Sequence, residues 1–396
     1  MVRELFISLY LLLFRIIFSI CNLFPIERKV SFVVSFKSNS EYVYHAIKQY
    51  PNPFTVVFLC TSSCFHQLND ELAQEEVLLF NLKKPFDFFK SIYHLATSRY
   101  IVVDNYYGFL AATNFKKEVE CIQVWHAAGA FKTFGLKDKS INTRTKGAIT
   151  RFKKVYSQFH KIVIGSDIMQ SIFKEAFGVG SDNFLCTGVP RTDLFFDDLL
   201  KEQTIRKIYQ KHSGLMHKKI ILYAPTFRDY ELNNFSLKLD LALMSQELKD
   251  DYVVIIKLHP VVKNKKALAD YKGFILDFSH YDDINELLLI TDILITDYSS
   301  IPFEFSLLKR PMIFYPYDLK SYQENRGFWK EYEQLVPGPI AFNTEEIIRL
   351  IKENDFDMER IVEFSTQWNK YSDGKSSYNL TNYLYQHSED PAVGRS

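Results

Sequence analysis

The sequence predicts an α/β protein built from two doubly wound domains, and three observations carry that reading. Short apolar, β-branched runs alternate with segments of helical periodicity, as in parallel sheets covered on both faces. The runs fall into two sets, separated by a polar stretch. The chain has 396 residues, too many for one ordinary core and suited to two domains of common size. In open α/β sheets ligands collect beyond the carboxyl ends of the strands, so the two domains are expected to face each other across a cleft.

Composition narrows the classes of function. With 47% hydrophobic and 24% charged residues the chain is globular and not disordered. A net charge of +1 provides no global field to recruit nucleic acid, so any basic site must be local. The 35 Phe and 24 Tyr exceed what a core needs and fit a protein that also touches lipid or sugar. The five cysteines are odd in number and most sit in apolar runs, which reads as reduced thiols in a cytosolic protein. Cys60 and Cys64 form a lone CxxxC pair with no second pair to complete a zinc site.

The first element is residues 1–24, MVRELFISLYLLLFRIIFSICNLF. No small-residue cleavage site follows, as a signal peptide would require. Arg15 interrupts what would otherwise be a transmembrane span. Glu4, Ser8, Arg15, Ser19 and Asn22 fall on one helical stripe and nearly everything else is apolar. Such a helix lies along a membrane surface or packs into a greasy groove of its own protein; membrane contact is the preferred reading.

The strands of the first domain, residues 25–195, are Val30–Phe36, Phe54–Cys60, Val77–Phe80, Tyr100–Asp104, Ile122–Trp125, Lys161–Gly165 and Phe184–Gly188. Glu41–Tyr50, Phe86–Ala96 and Asp167–Phe177 read as its helices. The second domain, residues 196–355, has strands Ile220–Ala224, Tyr252–Leu258, Phe274–Leu276, Ile293–Thr296 and Met312–Tyr315. Its helices are Leu239–Lys249, Asp283–Ile290 and Pro302–Leu308, and residues 356–396 are expected as a helical tail.

Unusual residues cluster where the second-domain strands end. Ala224-Pro-Thr226-Phe-Arg228, Lys257-Leu-His259-Pro260, Thr296-Asp297-Tyr-Ser299-Ser300 and Tyr315-Pro-Tyr-Asp318 carry groups suited to phosphate, ribose and base. Ser299 and Ser300 precede a helix with Pro302 in its first turn, where N–H groups and hydroxyls would hold a phosphate; alternatively Ser300 only caps the helix. Glu304, one turn on, is placed to accept from ribose hydroxyls or to be solvated. Pro260 keeps His259 out of helical geometry, and Lys257 shares its side of the sheet, a pair suited to a diphosphate. Arg228 follows the same logic.

In the first domain the strand before Trp125 ends in His126 and then four small residues, Ala127, Ala128, Gly129 and Ala130. Either His126 is a core histidine before a turn, or the small residues leave room for a substrate beside a general base. Between Arg144 and Lys161 the residues Arg144, Lys146, Arg151, Lys153, Lys154 and Lys161 include no acid, while Ile149, Phe152, Tyr156 and Phe159 share one face. That is a basic amphipathic helix, either at a membrane surface or solvated on its basic face.

Taken together, Trp125-His126-Ala-Ala-Gly129-Ala-Phe-Lys132, Gly188-Val-Pro-Arg191-Thr-Asp193 and the four strand-end motifs resemble the CDP-glycerol glycerophosphotransferase family of wall teichoic acid synthesis, over roughly Val30–Ile351. The resemblance implies a GT-B fold, a CDP-alditol donor, and an acceptor disaccharide linked to undecaprenyl diphosphate at the cytoplasmic face of the cell membrane. It implies His126 and His259 as the catalytic pair. Thr226, Arg228, Lys257, Asp297, Ser299, Ser300, Glu304, Tyr315 and Asp318 are expected at the donor, and Trp125, Gly129, Lys132 and Arg191 at the acceptor. Arg15, Arg144, Lys146, Arg151, Lys153 and Lys154 are expected at the membrane surface. Family polymerases typically read Trp-His-Gly-Thr-Pro and carry long extensions; this chain reads Trp-His-Ala-Ala-Gly and is similar to the short primase branch. The implied reaction transfers glycerol phosphate to the N-acetylmannosamine end of the acceptor and releases CMP. No metal or other cofactor is expected, Asp297 being the one residue that keeps a metal open. Other enzymes of teichoic acid synthesis are candidate partners. The competing readings are a polymerase or capsule alditol-phosphate transferase of the same family, a nucleotide-sugar glycosyltransferase or epimerase, and a non-catalytic membrane scaffold that binds lipid-linked sugar.

Overall fold

The structure, a computed structural model, describes residues 2–228, 237–258, 271 and 273–388. The chain divides into two compact units, one of Met1–His126, Phe134–Asp193 and Tyr371–Ser396, the other of Ala127–Thr133 and Leu194–Lys370. The segment directly after His126 therefore belongs to the second unit, although it lies within the expected first domain.

The first unit holds strands β1 (Glu27–Val34), β2 (Thr55–Cys60), β3 (Glu76–Leu79), β4 (Ser98–Val103), β5 (Glu120–Gln123), β6 (Lys161–Val163) and β7 (Phe184–Leu185). They form one sheet in the order β3-β2-β1-β4-β5-β6-β7, every neighbouring pair parallel. Its helices are α1 (Val2–Cys21), α2 (Lys37–Lys48), α3 (Phe65–Glu71), α4 (Pro85–Thr97), α5 (Lys146–Tyr156) and α6 (Asp167–Phe177). Helices on both faces explain why the strands are continuous apolar runs; β1 is buried from Lys29 to Val34. Local chemistry sets the helix ends. Thr145 caps α5 by accepting from the Ala148 N–H, Ser166 caps α6, and Gly178 ends α6 at φ 68°. The strand order reverses between β1 and β4, where a doubly wound sheet opens a crevice.

Helix α1 packs one face into its own unit and leaves the other exposed. Phe14 and Phe18 are buried in an aromatic cluster with Phe80, Phe88, Phe109 and Phe115. The opposite face is apolar too, with Leu5, Leu9, Leu12, Leu13, Ile16 and Ile20 exposed. Ser8, Arg15 and Ser19 are exposed, and the polar stripe runs along the border between these faces. By length and composition alone the helix could cross a membrane. Phe86 of α4 is 91% exposed, adding to the apolar surface of this unit.

The second unit contains α7 (Asp198–Lys211), β8 (Lys219–Ala224), α8 (Leu241–Leu248), β9 (Tyr252–Ile256), β10 (Ile275–Asp277), α9 (Ile284–Ile290), β11 (Ile293–Thr296), α10 (Ile301–Phe305), β12 (Met312–Phe314), α11 (Leu319–Asn325), α12 (Tyr332–Leu335), α13 (Thr344–Glu353) and α14 (Met358–Trp368). Its five strands form a second parallel sheet in the order β10-β9-β8-β11-β12. The reversal falls between β8 and β11, with Thr296 in register with Ala224.

The last helix, α15 (Ser376–Gln386), belongs to the first unit, where Leu380 and Leu384 join the core. The expected tail of residues 356–396 is thus divided, α14 lying in one unit and α15 in the other. Asp193 fastens α15 by accepting from the Ser376 and Ser377 N–H groups at 2.9 and 2.8 Å. Gly188, at φ 81°, lies so close to the Tyr371 carbonyl and the Ser376 hydroxyl that any Cβ would clash. Much of the Gly188–Asp193 motif therefore has a structural task.

Candidate active site

In the first unit the functional groups meet at the crevice between β1 and β4. Val103 of β4 is in register with Gln123 of β5, and the chain then turns through Trp125 at φ 55°, a conformation uncommon for a bulky residue. Gln123 is buried and supports this turn, its amide oxygen accepting from the Trp125 N–H and its amide nitrogen donating to the Asn105 carbonyl. Asn39, in the first turn of α2, donates to the carbonyls of Val124 and Trp125 and accepts from the Arg191 N–H.

The His126 ring has three fixed contacts. It stacks against Trp125 and against Phe36, with centroids 4.4 and 4.6 Å away. Its Nδ1 lies 3.0 Å from the Asp104 carbonyl oxygen. A carbonyl can only accept, so Nδ1 carries a proton, and in the neutral ring Nε2 carries the lone pair. The Asp104 side chain fixes this corner. Its carboxylate accepts from the Ser35 and Phe36 N–H groups at 2.7 Å each and from the Tyr107 hydroxyl at 2.5 Å. Burial nevertheless pushes its pKa up to about 6, against the lowering effect of these donors.

The second unit gathers its polar groups where β8, β11 and β12 end. Asp297 accepts from the Thr226 and Tyr298 N–H groups, tying the β8 and β11 ends together. Arg228, only 3% exposed, forms a two-pronged ion pair with Asp318 at 2.7 and 2.8 Å and lies 3.0 Å from Asp297. Its guanidinium is 4.9 Å from the ring centres of Tyr298, Tyr317 and Tyr322. Beside this cluster, Tyr317, Asp318, Lys320, Gln323 and Phe342 line a cavity of about 630 Å³. Among the described residues no three His, Cys, Asp or Glu side chains converge as a metal centre would require.

Several residues expected at the site have partners within their own unit. Arg228, expected at the donor, pairs inside the unit with two carboxylates. Lys257 donates to the carbonyls of Ser279 and Tyr281. Tyr315 is 5% exposed and donates to the Lys238 carbonyl, as a core residue would. A Cβ on Gly129 would sit 2.2 Å from the Phe303 ring, so the small side chains let this segment approach α10. Glu304 is buried and accepts from the Ala128 N–H at 2.9 Å, which accounts for one oxygen otherwise offered to ribose. Ser299, not Ser300, makes the local hydroxyl contact, to the Ile301 N–H; α10 is five residues long before a tighter turn follows. Trp125 packs against Phe134, Phe173 and Phe177. Arg151 pairs with Glu4 and so joins α5 to α1, while Arg144, Lys146, Lys153 and Lys154 are exposed. His259 lies outside the described residues.

Asp104, Phe36 and Asn39 were not singled out from the sequence. The available signal was the same one used in the second domain: an acid at the end of an apolar strand, and polar residues directly after the first strand.

The family described as CDP-Glycerol:Poly(glycerophosphate) glycerophosphotransferase matches residues 20–386. The chain is 37% identical to the teichoic acid glycerol-phosphate primase of Bacillus subtilis (strain 168), over 97% of this chain and 98% of that one. It is 34% identical to the teichoic acid ribitol-phosphate primase of Bacillus spizizenii (strain ATCC 23059 / NRRL B-14472 / W23), over 91% of this chain and 92% of that one. A variant of the wall teichoic acid polymerase TagF soaked with CDPG shares the fold at a TM-score of 0.80, with 24% identity and 98% of each chain covered.

Proposed function

The chain belongs to the CDP-glycerol glycerophosphotransferase family of teichoic acid synthesis, and we propose that it transfers a single glycerol phosphate from CDP-glycerol to the N-acetylmannosamine end of an undecaprenyl-diphosphate-linked disaccharide, releasing CMP. The observation that carries the chemistry is the fixed ring of His126, with its Nδ1 proton directed to the Asp104 carbonyl. Nε2 is then the basic nitrogen that takes the proton of the acceptor hydroxyl. The acceptor oxygen forms a bond to the phosphorus bearing glycerol. The bond from that phosphorus to the bridging oxygen breaks, and CMP departs with the electron pair.

The donor is assigned to the second unit. Thr226, Ser299, Ser300 and Glu304 lie at its strand ends, with the Arg228–Asp297–Asp318 cluster as the rigid support beneath them. The cavity lined by Tyr317 and Phe342 offers an aromatic setting for the nucleoside. Phosphoryl transfer of this kind depends mainly on positioning and electrostatics, so a rigid support matters as much as direct contacts. The identity to a glycerol-phosphate primase favours glycerol over ribitol and one unit over many. The exposed apolar face of α1 and the exposed basic residues of α5 support attachment to an anionic membrane surface, where the lipid-linked acceptor resides. Mass spectrometry of the product made from a synthetic lipid-linked disaccharide and CDP-glycerol tests the reading. One added glycerol phosphate is expected; a ladder indicates a polymerase, and no addition refutes the transferase assignment.

A further inference from the structure

Helix α1 is long and apolar enough to cross a membrane, yet it is fastened to the first unit along its length. Near its start Glu4 pairs with Arg151 of α5 at 3.1 Å. In its middle the rings of Tyr10 and Phe14 each meet the Phe88 ring of α4, with centroids 6.2 Å apart, and Phe14 and Phe18 are buried. Just beyond its end the Asn22 amide donates to the Asn114 carbonyl at 3.2 Å, and Lys116 donates to the Phe24 carbonyl. The Phe24 ring meets Tyr93 of α4 at 5.5 Å. A helix that crosses a bilayer is surrounded by hydrocarbon. Crossing would strip α1 from the polar unit that holds it and would immerse Arg15. Lying in the membrane plane keeps every one of these contacts and still covers the exposed apolar face.

The exposed apolar surface continues onto α4. Because Phe88 touches α1, the first turn of α4 and the segment before it adjoin that helix. Here Leu82, Phe86 and Phe89 are 54%, 91% and 49% exposed. Lys83 and Lys84, between Leu82 and Phe86, are exposed as well. The one acid between Asn81 and Lys90 is Asp87, which accepts from the Leu79 N–H. A bare phenylalanine flanked by two lysines matches the boundary between acyl chains and anionic headgroups, where the ring is buried and the ammonium groups meet phosphate.

We propose that α1 lies in the plane of an anionic membrane without crossing it, and that the β3–α4 connection is a second lipid contact, Phe86 entering the acyl region and Lys83 and Lys84 meeting the headgroups. This rests on the membrane attachment given above and deepens it, by fixing the orientation of α1 and naming a second point of contact.

The test uses the full chain, vesicles of mixed neutral and anionic phospholipid, and the single variants Leu12→Trp and Phe86→Trp. Both positions are exposed, and wild type, with its three tryptophans, is the blank. Lipids brominated near the headgroup end or near the tail end of the acyl chain report depth by quenching. Shallow bromines are expected to quench both new tryptophans most strongly. Leu12 lies near the middle of α1, so a crossing helix would place it at the bilayer centre, where deep bromines quench best. That result overturns the in-plane orientation. In co-sedimentation, Leu82→Ser with Phe86→Ser is expected to weaken vesicle binding by at least about tenfold. Lys83→Gln with Lys84→Gln weakens it by about fivefold per charge removed, a difference that salt screens. A Phe86→Trp that lipid bromines do not quench, beside a quenched Leu12→Trp, overturns the second contact and leaves the membrane reading intact. A lipid-free dimer that Leu82→Ser with Phe86→Ser dissociates assigns this surface to a second copy of the chain and overturns the proposal. Wild-type protein that does not bind the vesicles overturns both the proposal and the membrane reading.

Discussion

Nδ1 of His126 stands 3.0 Å from the carbonyl oxygen of Asp104, and this one bond selects the tautomer of the ring. If Nε2 is the base, His126→Ala lowers turnover by about 10²–10⁴-fold, the usual contribution of a positioned base. The ring is half-buried at the surface of its unit, so the fold survives. CMP release measured beside a thermal melt separates the two effects; an active His126→Ala defeats the assignment.

Asp104 makes stability depend on pH. Its pKa in the folded protein, about 6, lies above the ordinary carboxylate value of 3.8. The folded state therefore binds more protons than the unfolded state between those values, and stability falls as pH rises through that window. Asp104→Asn removes this titration. The difference in melting temperature between wild type and Asp104→Asn is expected to shift in favour of the variant from about pH 4 to about pH 6 and to level off above. A difference that stays constant with pH contradicts the account.

Gly129→Ala tests why small residues follow His126. The added methyl meets Phe303 at 2.2 Å, and overpacking of this kind costs about 1–3 kcal/mol. Melting temperature should drop with turnover, and Phe303→Leu in the same chain should restore part of both. A fully stable, fully active Gly129→Ala shows that the strap yields easily.

Arg228→Gln removes the guanidinium that pairs with Asp297 and Asp318. Breaking one side of a buried ion pair costs about 3–5 kcal/mol, read as a lower midpoint in urea. Arg228→Lys recovers little, because a lysine cannot reproduce the two-pronged geometry with Asp318. Loss of donor binding at unchanged stability returns Arg228 to the contact role first read from the sequence.

At the membrane, Leu12→Glu with Ile16→Glu places two charges on the exposed face of α1, where these residues are 53% and 51% exposed. Co-sedimentation with vesicles containing anionic lipid should fall by more than about tenfold. Lys153→Glu with Lys154→Glu weakens binding by about 1 kcal/mol per lost basic charge at least, and salt should screen the difference. Arg151→Ala acts differently, by releasing Glu4 and loosening α1 from α5. Binding that ignores both pairs of substitutions removes the membrane reading.

The sequence by itself determined the two sheets, their strands, and the residues that stand at strand ends. Apolar runs such as Val30–Val34 and Ile293–Thr296 must be buried on both faces, and that requirement is local and legible. The motifs that signal the family could be read in the same linear way. What each side chain does at those positions was decided by tertiary structure. Arg228, Lys257 and Tyr315 stand at strand ends in the sequence, and only the fold shows which partners hydrogen bonding and burial give them within their own unit. Conversely, Asp104, Phe36 and Asn39 acquire meaning only when β1, β4 and β5 lie side by side and bring them to His126. The physical reason is the same in both cases: periodicity reports whether a residue is inside, whereas charge balance and hydrogen-bond satisfaction depend on which distant groups the fold brings within about 3 Å.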